Sequence, residues 1–504
     1  MSVLLFGLSL LLPAAAGVLL VLLFCPALNQ GRAGRLFAGF AGCGLGMGLA
    51  TCLSFLSLLV GAAPLLPLVE IGAALLTGVG WLVLLRRRAA RAAPPLPEPP
   101  GGTRIELLLA GIAACALAAS AASFFLTYLQ EPHGRWDAWL IWNMHARFLY
   151  RGGELWAEAF ASGLDWSHWD YPLLLPLAIA RGWGYLGGEN LPVPALVAAL
   201  FAFITLGLLC ASLAFLRRPG QGYLAAMVLM GTPFFVTMGA SQFADIPLAF
   251  FILATLALLV TAARSAPGGT GALILAGLCA GLAAWTKNEG LLFLPVAAAA
   301  LFGTTLRRAG AAGASRRTAA FLAGALPVLL AVAAFKLGIA PTNDLLAGFG
   351  REALGAKLFD ADRYWAIARA FFLTGLSFTQ GLIDVRVGMR INPGAVSVIL
   401  LAAYLLLAGI GSDRAGRAGL AQAGAILALM PAGYFFVYVM TPLDLDYHLA
   451  TSLNRLFLQL WPGAIFVVFM LANGPEAATG AGAPAPLPPR AATRAAEGKK
   501  PKRI

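Results

Sequence analysis

Charge is what this chain has least of. Only 11% of its 504 residues are charged and 60% are hydrophobic, whereas a soluble domain carries about 25% charged residues. This shortage excludes a soluble globular protein of this size. The net charge is +13, but the Lys and Arg residues lie in short clusters between apolar runs. That arrangement is typical of the cytoplasmic loops of a membrane protein and does not indicate a nucleic-acid partner.

The chain also lacks cysteine motifs and nucleotide-binding loops. Its six cysteines lie in or at the ends of apolar runs, without the spacing of a metal site or a disulfide framework. No Gly-rich phosphate loop follows a strand, so the 58 glycines are better explained by close helix packing. The first apolar run has no basic leader and no convincing cleavage site, and we expect it to be a retained span.

Apolar runs of about 17–26 residues are abundant, and runs of this length cross a bilayer as helices. They predict an all-α, polytopic membrane protein with about thirteen transmembrane helices. The predicted spans are 2–25, 35–60, 64–85, 105–128, 191–216, 222–240, 246–263, 270–286, 290–306, 318–340, 394–411, 416–440 and 456–473.

Basic clusters at every second loop predict the orientation of these spans. By the positive-inside rule they are cytoplasmic, which places the N-terminus outside. The apolar segments 171–188 and 364–383 would break this alternation if they crossed the membrane, so we predict short or interface-lying helices there. The basic residues are Arg32, Arg35, Arg86, Arg87, Arg88, Arg91, Arg217, Arg218, Arg264, Arg307, Arg308, Arg316, Arg317, Arg414, Arg417, Lys499, Lys500, Lys502 and Arg503.

The spans and loops group into five parts. Proline and arginine enrichment indicates a linker after the third span, and an Ala/Pro/Gly-rich composition indicates disorder at the C-terminus. The predicted parts are an N-terminal three-helix extension (1–85), a cytoplasmic linker (86–104), a central module with the outer loop 129–190 (105–310), a C-terminal transmembrane module with the outer loops 341–393 and 441–455 (311–473), and a disordered basic cytoplasmic tail (474–504).

The segment 131–172 holds three of the four histidines of the chain and is rich in tryptophan. After Asp137, the residues Trp139, Trp142, His145 and Leu149 recur at helical spacing and predict an amphipathic helix on the outer leaflet. One interpretation of Asp137 is a general base above the membrane. The other is a first-turn carboxylate that the helix N-terminus stabilises.

The sequence His168-Trp-Asp170-Tyr171-Pro stands where this loop returns to the membrane. A histidine at that level can bind phosphate or donate a hydrogen bond. The alternative is an interfacial anchor formed by the aromatic side chains. His168 and Asp170 alone are too few ligands for a zinc site.

Further ionisable residues stand at the outer ends of later spans. Asp245 begins one span, and a carboxylate there is either functional or a helix cap. Lys287 and Glu289 lie in Trp-Thr-Lys-Asn-Glu-Gly, where the lysine offsets a phosphate charge or forms a local ion pair. Arg455 heads the last span and is either a phosphate ligand or an interface arginine. Arg386, Arg390 and His448 complete the candidates.

The order of these motifs resembles the multi-span GT-C glycosyltransferases. An Asp loop after a span precedes His-x-Asp-Tyr-Pro, then Asp-x-Pro-Leu-x-Phe-Phe at the start of a span, then Thr-Lys-x-Glu-Gly. Over residues 105–310 the chain is most similar to the group of protein O-mannosyltransferases, aminoarabinose transferases and rhizobial lipopolysaccharide sugar transferases. The resemblance implies that 105–310 is a catalytic module.

The resemblance implies an inverting transfer of a sugar from a polyprenyl-phosphate donor to a glycan, lipid or protein acceptor. It places the reaction on the outer face of the bacterial cytoplasmic membrane. Asp137 would be the base and Asp245 a second carboxylate that orients acceptor or sugar. No cofactor is implied, and a divalent cation stays open. The implied substrate and donor contacts are His168, Asp170, Tyr171, Lys287, Glu289, Arg386, Arg390, His448 and Arg455.

The chain departs from the family in two places. Asp137 precedes Ala138, where several members have an acidic pair, which weakens an assignment to protein O-mannosylation. Residues 1–85 are not part of the usual opening of the family. Two other hypotheses remain: a lipid or solute transporter or flippase, which predicts broken helices at the bilayer midplane and inverted repeats, and a non-catalytic membrane assembly factor on the same scaffold.

Overall fold

The computed structural model describes residues 2–89, 104–161, 167–265, 269–342, 351–377, 393–411 and 416–474. All regular secondary structure within these ranges is helical, apart from one isolated antiparallel bridge between Ile410 and Ala472. The predicted all-α class is therefore confirmed.

The α-helices of the described residues follow the apolar runs of the sequence. They are α1 (Ser2–Phe24), α2 (Gly31–Leu59), α3 (Leu66–Ala89), α4 (Arg104–Gln130), α5 (Asn143–Arg151), α6 (Leu174–Leu186), α7 (Pro192–Leu216), α8 (Pro219–Met230), α9 (Pro233–Ala240), α10 (Asp245–Arg264), α11 (Thr270–Thr286), α12 (Asn288–Gly338), α13 (Arg351–Leu358), α14 (Ala361–Ser377), α15 (Pro393–Ala408), α16 (Gly416–Met440) and α17 (Leu445–Leu471). Short 3₁₀ segments occupy Pro26–Asn29, Ala63–Leu65 and Gly153–Ala161, and a π-helical turn covers Ala138–Trp142.

The helices account for the predicted membrane spans. Nine helices of the described ranges are long and apolar enough to cross a bilayer, and α8 with α9, bent by 69°, makes a tenth candidate. Helix α12 breaks at Gly310, where φ is 69°, so its 51 residues form two arms. Together with the shorter apolar helices α11 and Ser397–Ala408, each predicted span corresponds to a helix, an arm of α12 or the bent pair. The chain is an integral membrane protein.

Helix α10 lies at the centre of the protein, and 94% of its apolar window is buried. It packs against α7, α11, α16 and α17. Helices α3 and α4 are the opposite case, because only 6% and 11% of their windows are buried and most of their side chains lie on the surface of the helix bundle. The start of α10 is therefore held on several sides by other helices, which suits a residue that must be placed accurately.

Glycine allows α11 and α12 to pack closely. A Cβ atom on Gly277 would lie 1.7 Å from the carbonyl oxygen of Phe321, and one on Gly324 would lie 1.9 Å from that of Ile274. Both distances are far below contact distance, so larger residues would force the helices apart. The predicted role of glycine in helix packing is confirmed at these two positions.

The short helix predicted within 171–188 is present as α6. All residues from Leu174 to Trp183 are buried, and α6 packs against α1, α2 and α5. Other helices of the protein therefore cover α6, which its apolar pattern alone did not show. For 364–383, α14 is short, as predicted, and its Trp365 is exposed; residues 378–383 lie outside the described ranges.

The amphipathic helix predicted after Asp137 exists as the π-helical turn and α5. Its apolar face does not rest on the outer leaflet, because Trp142, His145 and Leu149 are buried within the protein. Trp139 is the member of the pattern that remains exposed. The helix therefore packs its apolar face into the protein and leaves Asp137 at its start.

A buried ion pair ties α6 to the N-terminal helices. Arg181 donates two hydrogen bonds to the Glu70 carboxylate of α3 and one to the carbonyl oxygen of Ser9 in α1. The Tyr185 hydroxyl donates to the same carboxylate at 2.7 Å. Helix α2 also packs against α6 and α7. The N-terminal helices are thus packed into the protein.

Two arginines cap helix ends on the side of the protein remote from Asp245. Arg264 ends α10 and donates to the carbonyl oxygen of Leu216 at the end of α7. Arg217 donates to the carbonyl oxygen of Ala472. Since α10 has 20 residues, its length of about 30 Å separates this basic end from Asp245. Arg217 and Arg264 therefore lie at the end of the span opposite Asp245, and which end faces outward stays a prediction.

Candidate active site

Asp245, the first residue of α10, is completely buried and fully hydrogen-bonded. Its Oδ1 accepts hydrogen bonds from Lys287 Nζ at 3.0 Å and Gln459 Nε2 at 2.7 Å. Its Oδ2 accepts from Arg455 Nη2 at 2.8 Å and Nε at 3.1 Å. A buried carboxylate is tolerated when it is paired in this way. The side chain has 0% exposure and is paired with the two cations of Lys287 and Arg455.

Arg455 connects Asp245 with Asp137. Its Nη2 lies 2.7 Å from Asp137 Oδ2, and its guanidinium lies over the Phe243 ring. Helix α17 supplies the arginine and the start of the π-helical turn supplies Asp137. The exposures of the two side chains are 16% and 18%, in contrast with the sealed Asp245. Asp137 is therefore the more exposed aspartate of this pair.

Lys287 lies on the other side of Asp245, between α11 and α12. Its Nζ contacts Glu289 Oε1 at 2.7 Å, and the side chain is only 5% exposed. Burial opposes its charged form, but Asp245 and Glu289 outweigh that effect and raise the pKa of Lys287. The two carboxylates therefore favour the charged form of Lys287. We call Asp137, Asp245, Lys287, Glu289 and Arg455 the Asp245 cluster.

A second polar group adjoins this cluster. Asn288 Nδ2 donates to Asp170 Oδ2 at 2.8 Å, and Lys336 Nζ donates to Asn288 Oδ1 at 2.8 Å. Lys336 also donates to the Asp170 carbonyl oxygen and lies 3.3 Å from its carboxylate. Lys336 was not among the sequence candidates. The sequence signal for Lys336 was a lone lysine near the end of an apolar helix. The same pattern is typical of a lysine whose ammonium group extends to the membrane interface.

Tyr171 lies in a stack of rings beside both groups. Its ring centroid is 4.9 Å from that of His168 and 5.5 Å from that of Trp142, with nearly parallel planes. Burial, followed by the nearby carboxylates of Glu289 and Asp170, raises the pKa of Tyr171 well above its ordinary value. Its hydroxyl therefore stays protonated and can donate a hydrogen bond.

His145 is a structural residue. It is fully buried, its ring stacks on Trp169 at 4.1 Å, and its Nε2 lies 3.2 Å from Ser167 Oγ. Burial lowers its pKa to about 3. The imidazole is therefore neutral at physiological pH and does not act as a cation.

The remaining candidates are further along the chain. His448, on α17, lies 2.9 Å from Thr441 Oγ1 through Nδ1 and packs against the ring of Tyr438. It precedes Arg455 by seven residues, which places both on one face of the helix. Arg386 and Arg390 lie outside the described residues. In the described ranges, no group of three His, Cys, Asp or Glu side chains is arranged to hold a metal ion.

Residues 170–335 match the dolichyl-phosphate-mannose-protein mannosyltransferase family. The matched region contains Asp170, Tyr171, Asp245, Lys287 and Glu289 and covers less than half of the chain. No curated protein and no solved structure matches. The match supports a GT-C superfamily glycosyltransferase and confirms the resemblance drawn from the motifs.

Proposed function

We propose that this membrane glycosyltransferase moves a sugar from a polyprenyl-phosphate donor to an acceptor hydroxyl or amine, with Asp137 as the base. The observation that carries the proposal is the contrast between the two aspartates on Arg455. Asp245 is sealed and saturated with donors, whereas Asp137 is partly exposed beside a guanidinium. A base must reach the proton that it removes, and the exposed member of the pair is the one placed to do so.

The proposed reaction is a single displacement. Asp137 Oδ takes the proton of the acceptor while the acceptor oxygen or nitrogen attacks the anomeric carbon. The bond from that carbon to the phosphate oxygen breaks, and polyprenyl phosphate leaves with the electron pair. Attack opposite the leaving group inverts the anomeric configuration. The proton on Asp137 then passes to water, which restores the carboxylate.

Arg455 is the cation of the Asp245 cluster best suited to the departing phosphate. It is more exposed than Lys287 and presents a planar set of donors that matches phosphate oxygens. Lys287 remains a proposed phosphate contact, and from its buried position it also holds Asp245 and Glu289 in place. We propose that His168, Asp170, Tyr171 and Glu289 line the donor site.

Arg386, Arg390 and His448 remain proposed contacts of the substrate or donor. We place the reaction on the outer face of the bacterial cytoplasmic membrane, because the basic loops fall at the opposite end of the spans. A donor with a polyprenyl chain stays in the bilayer, and positioning with electrostatic stabilisation is then the main contribution of the protein.

Substitution of Asp137 tests the proposal. In proteoliposomes supplied with polyprenyl-phosphate mannose, aminoarabinose or galactose and with glycolipid and peptide acceptors, we expect Asp137→Asn to lower turnover by about 10²–10⁴-fold, the usual contribution of a general base. Glu131→Gln is a matched control, since Glu131 pairs with Arg135 on the same loop. We expect it to keep wild-type turnover.

Full activity of Asp137→Asn would overturn the assignment of the base. A wild-type protein that moves labelled donor across the membrane without forming a glycosidic product would instead establish a transporter or flippase. Binding of donor without either activity would favour an assembly factor.

A further inference from the structure

Gln242 has a backbone conformation that side chains rarely adopt. Its φ is 63°, in the left-handed region that favours glycine. The residue is 1% exposed and stands three positions before Asp245. A non-glycine residue in this region persists where the surrounding structure holds it, and such residues occur often at functional sites. The side chain of Gln242 therefore has a specific task.

That side chain holds both ends of the turn that carries Asp137. Gln242 Oε1 accepts a hydrogen bond from Asn143 Nδ2 at 2.9 Å, and Gln242 Nε2 donates to the carbonyl oxygen of Pro132 at 3.1 Å. Asn143 Nδ2 also lies 3.3 Å from the carbonyl oxygen of His133. One buried amide thus binds the segments before and after Asp137.

The backbones of the two segments also touch. The amide of Arg135 donates to the carbonyl oxygen of Ser241 at 3.3 Å. Gly134 has a φ of 73°, and a Cβ atom there would lie 2.7 Å from the same oxygen. The Asp137 turn is therefore pressed against the residues that lead into Asp245. Only glycine fits at that point without a shift of the turn.

We propose that Gln242 is a positioning residue that sets where Asp137 lies relative to Asp245 and Arg455. The side chain of Gln242 fixes the turn at its two ends, and Arg455 connects the two carboxylates at its centre. Gln242 does not touch substrate in this proposal. This positioning role rests on the proposed function of Asp137 as base. A reaction whose base is displaced by about 1 Å can slow by about 100-fold.

Two variants separate the amide from the backbone conformation. Gln242→Gly accepts the left-handed φ without strain but removes both side-chain hydrogen bonds. Gln242→Glu keeps the shape but puts an oxygen in place of the donor that faces Pro132. We expect both to lower kcat on the order of 10- to 100-fold, with little change in the KM for donor, and to speed hydrogen exchange of the backbone amides in 132–143.

Gln221→Ala is the matched control. Gln221 is an equally buried glutamine in α8 whose Nε2 donates to the carbonyl oxygens of Phe469 and Ala472. Its loss should lower thermal stability but leave kcat per folded molecule and exchange over 132–143 at wild-type values. This control separates positioning of the turn from general destabilisation.

The outcomes distinguish this proposal from the proposed function. Wild-type exchange over 132–143 in both Gln242 variants overturns the positioning role, and so does wild-type kcat where Asp137→Asn is inactive. If Asp137→Asn remains active, the proposed function fails. Faster exchange in the Gln242 variants alone would then still show that this residue fixes the turn.

Discussion

Two buried ion clusters in this protein differ in whether they have an exposed edge. That difference distinguishes a purely structural cluster from one that can bind a substrate. The pair of Arg181 and Glu70 is sealed, with side-chain exposures of 1% and 2%. The Asp245 cluster has a sealed core but an open edge, where Arg455 and Asp137 are 16% and 18% exposed. An ion pair closed on all sides can only hold helices together. One with an accessible edge can exchange a partner with a bound phosphate or acceptor.

Removal of the sealed carboxylate of the Asp245 cluster should give the largest effect on stability. Asp245→Asn leaves Lys287 and Arg455 with less compensation, and breaking a buried pair costs about 3–5 kcal/mol. Asp137→Asn, at the open edge, should cost less, about 1–3 kcal/mol, because Arg455 keeps Asp245 as its partner. Thermal unfolding in detergent checks both values. Equal losses of stability would break the distinction between core and edge.

The pair of Arg181 and Glu70 should behave as a purely structural connection. Arg181→Met or Glu70→Leu alone leaves a buried charge unpaired and should cost about 3 kcal/mol, whereas the double substitution should cost less than either. A double-mutant cycle of unfolding free energies measures this coupling. Turnover per folded molecule should stay at the wild-type value in all three proteins. A loss of turnover in the double variant would show that this pair also serves the reaction.

Lys336 provides an intermediate case that sharpens the comparison. Its side chain is 20% exposed and its partner Asp170 is 4% exposed. Lys336→Met should cost about 1–3 kcal/mol, the penalty for removing a charged hydrogen-bond partner, and should lower kcat/KM because Tyr171 follows Asp170. Lys336→Arg should recover part of both. Stability loss without any change in kcat/KM would place this group with the sealed pair.

The fold was largely predictable from the sequence because apolar run length is a strong signal for a membrane span. The predicted runs correspond to helices, and the break in α12 falls in a basic segment that was predicted as a loop. The sequence predicted less well whether lipid or protein covers an apolar helix face. Trp142, His145 and Leu149 have the spacing of an amphipathic helix whether lipid or protein covers them.

The sequence predicted which residues form the site but not how they are arranged. Charge alternation assigned Asp137, Asp245, Lys287 and Arg455 to one end of the spans, and the structure brings them together. The full set of hydrogen bonds to Asp245 could not be predicted, because its partners Lys287 and Arg455 are 42 and 210 residues away in sequence. Gln242 gave no sequence signal, because an unusual φ is set by tertiary contacts.

The bend at Gly310 makes the lengths of the two arms of α12 interdependent. Asn288 begins the first arm and Lys336 lies near the end of the second, yet their side chains meet at 2.8 Å. One added residue inside an arm would turn Lys336 by about 100° around the helix axis, away from Asn288. An addition at the bend itself would leave both arms in register. The chain can therefore vary in length at the basic end of this hairpin, while the two arms are held to a fixed number of residues.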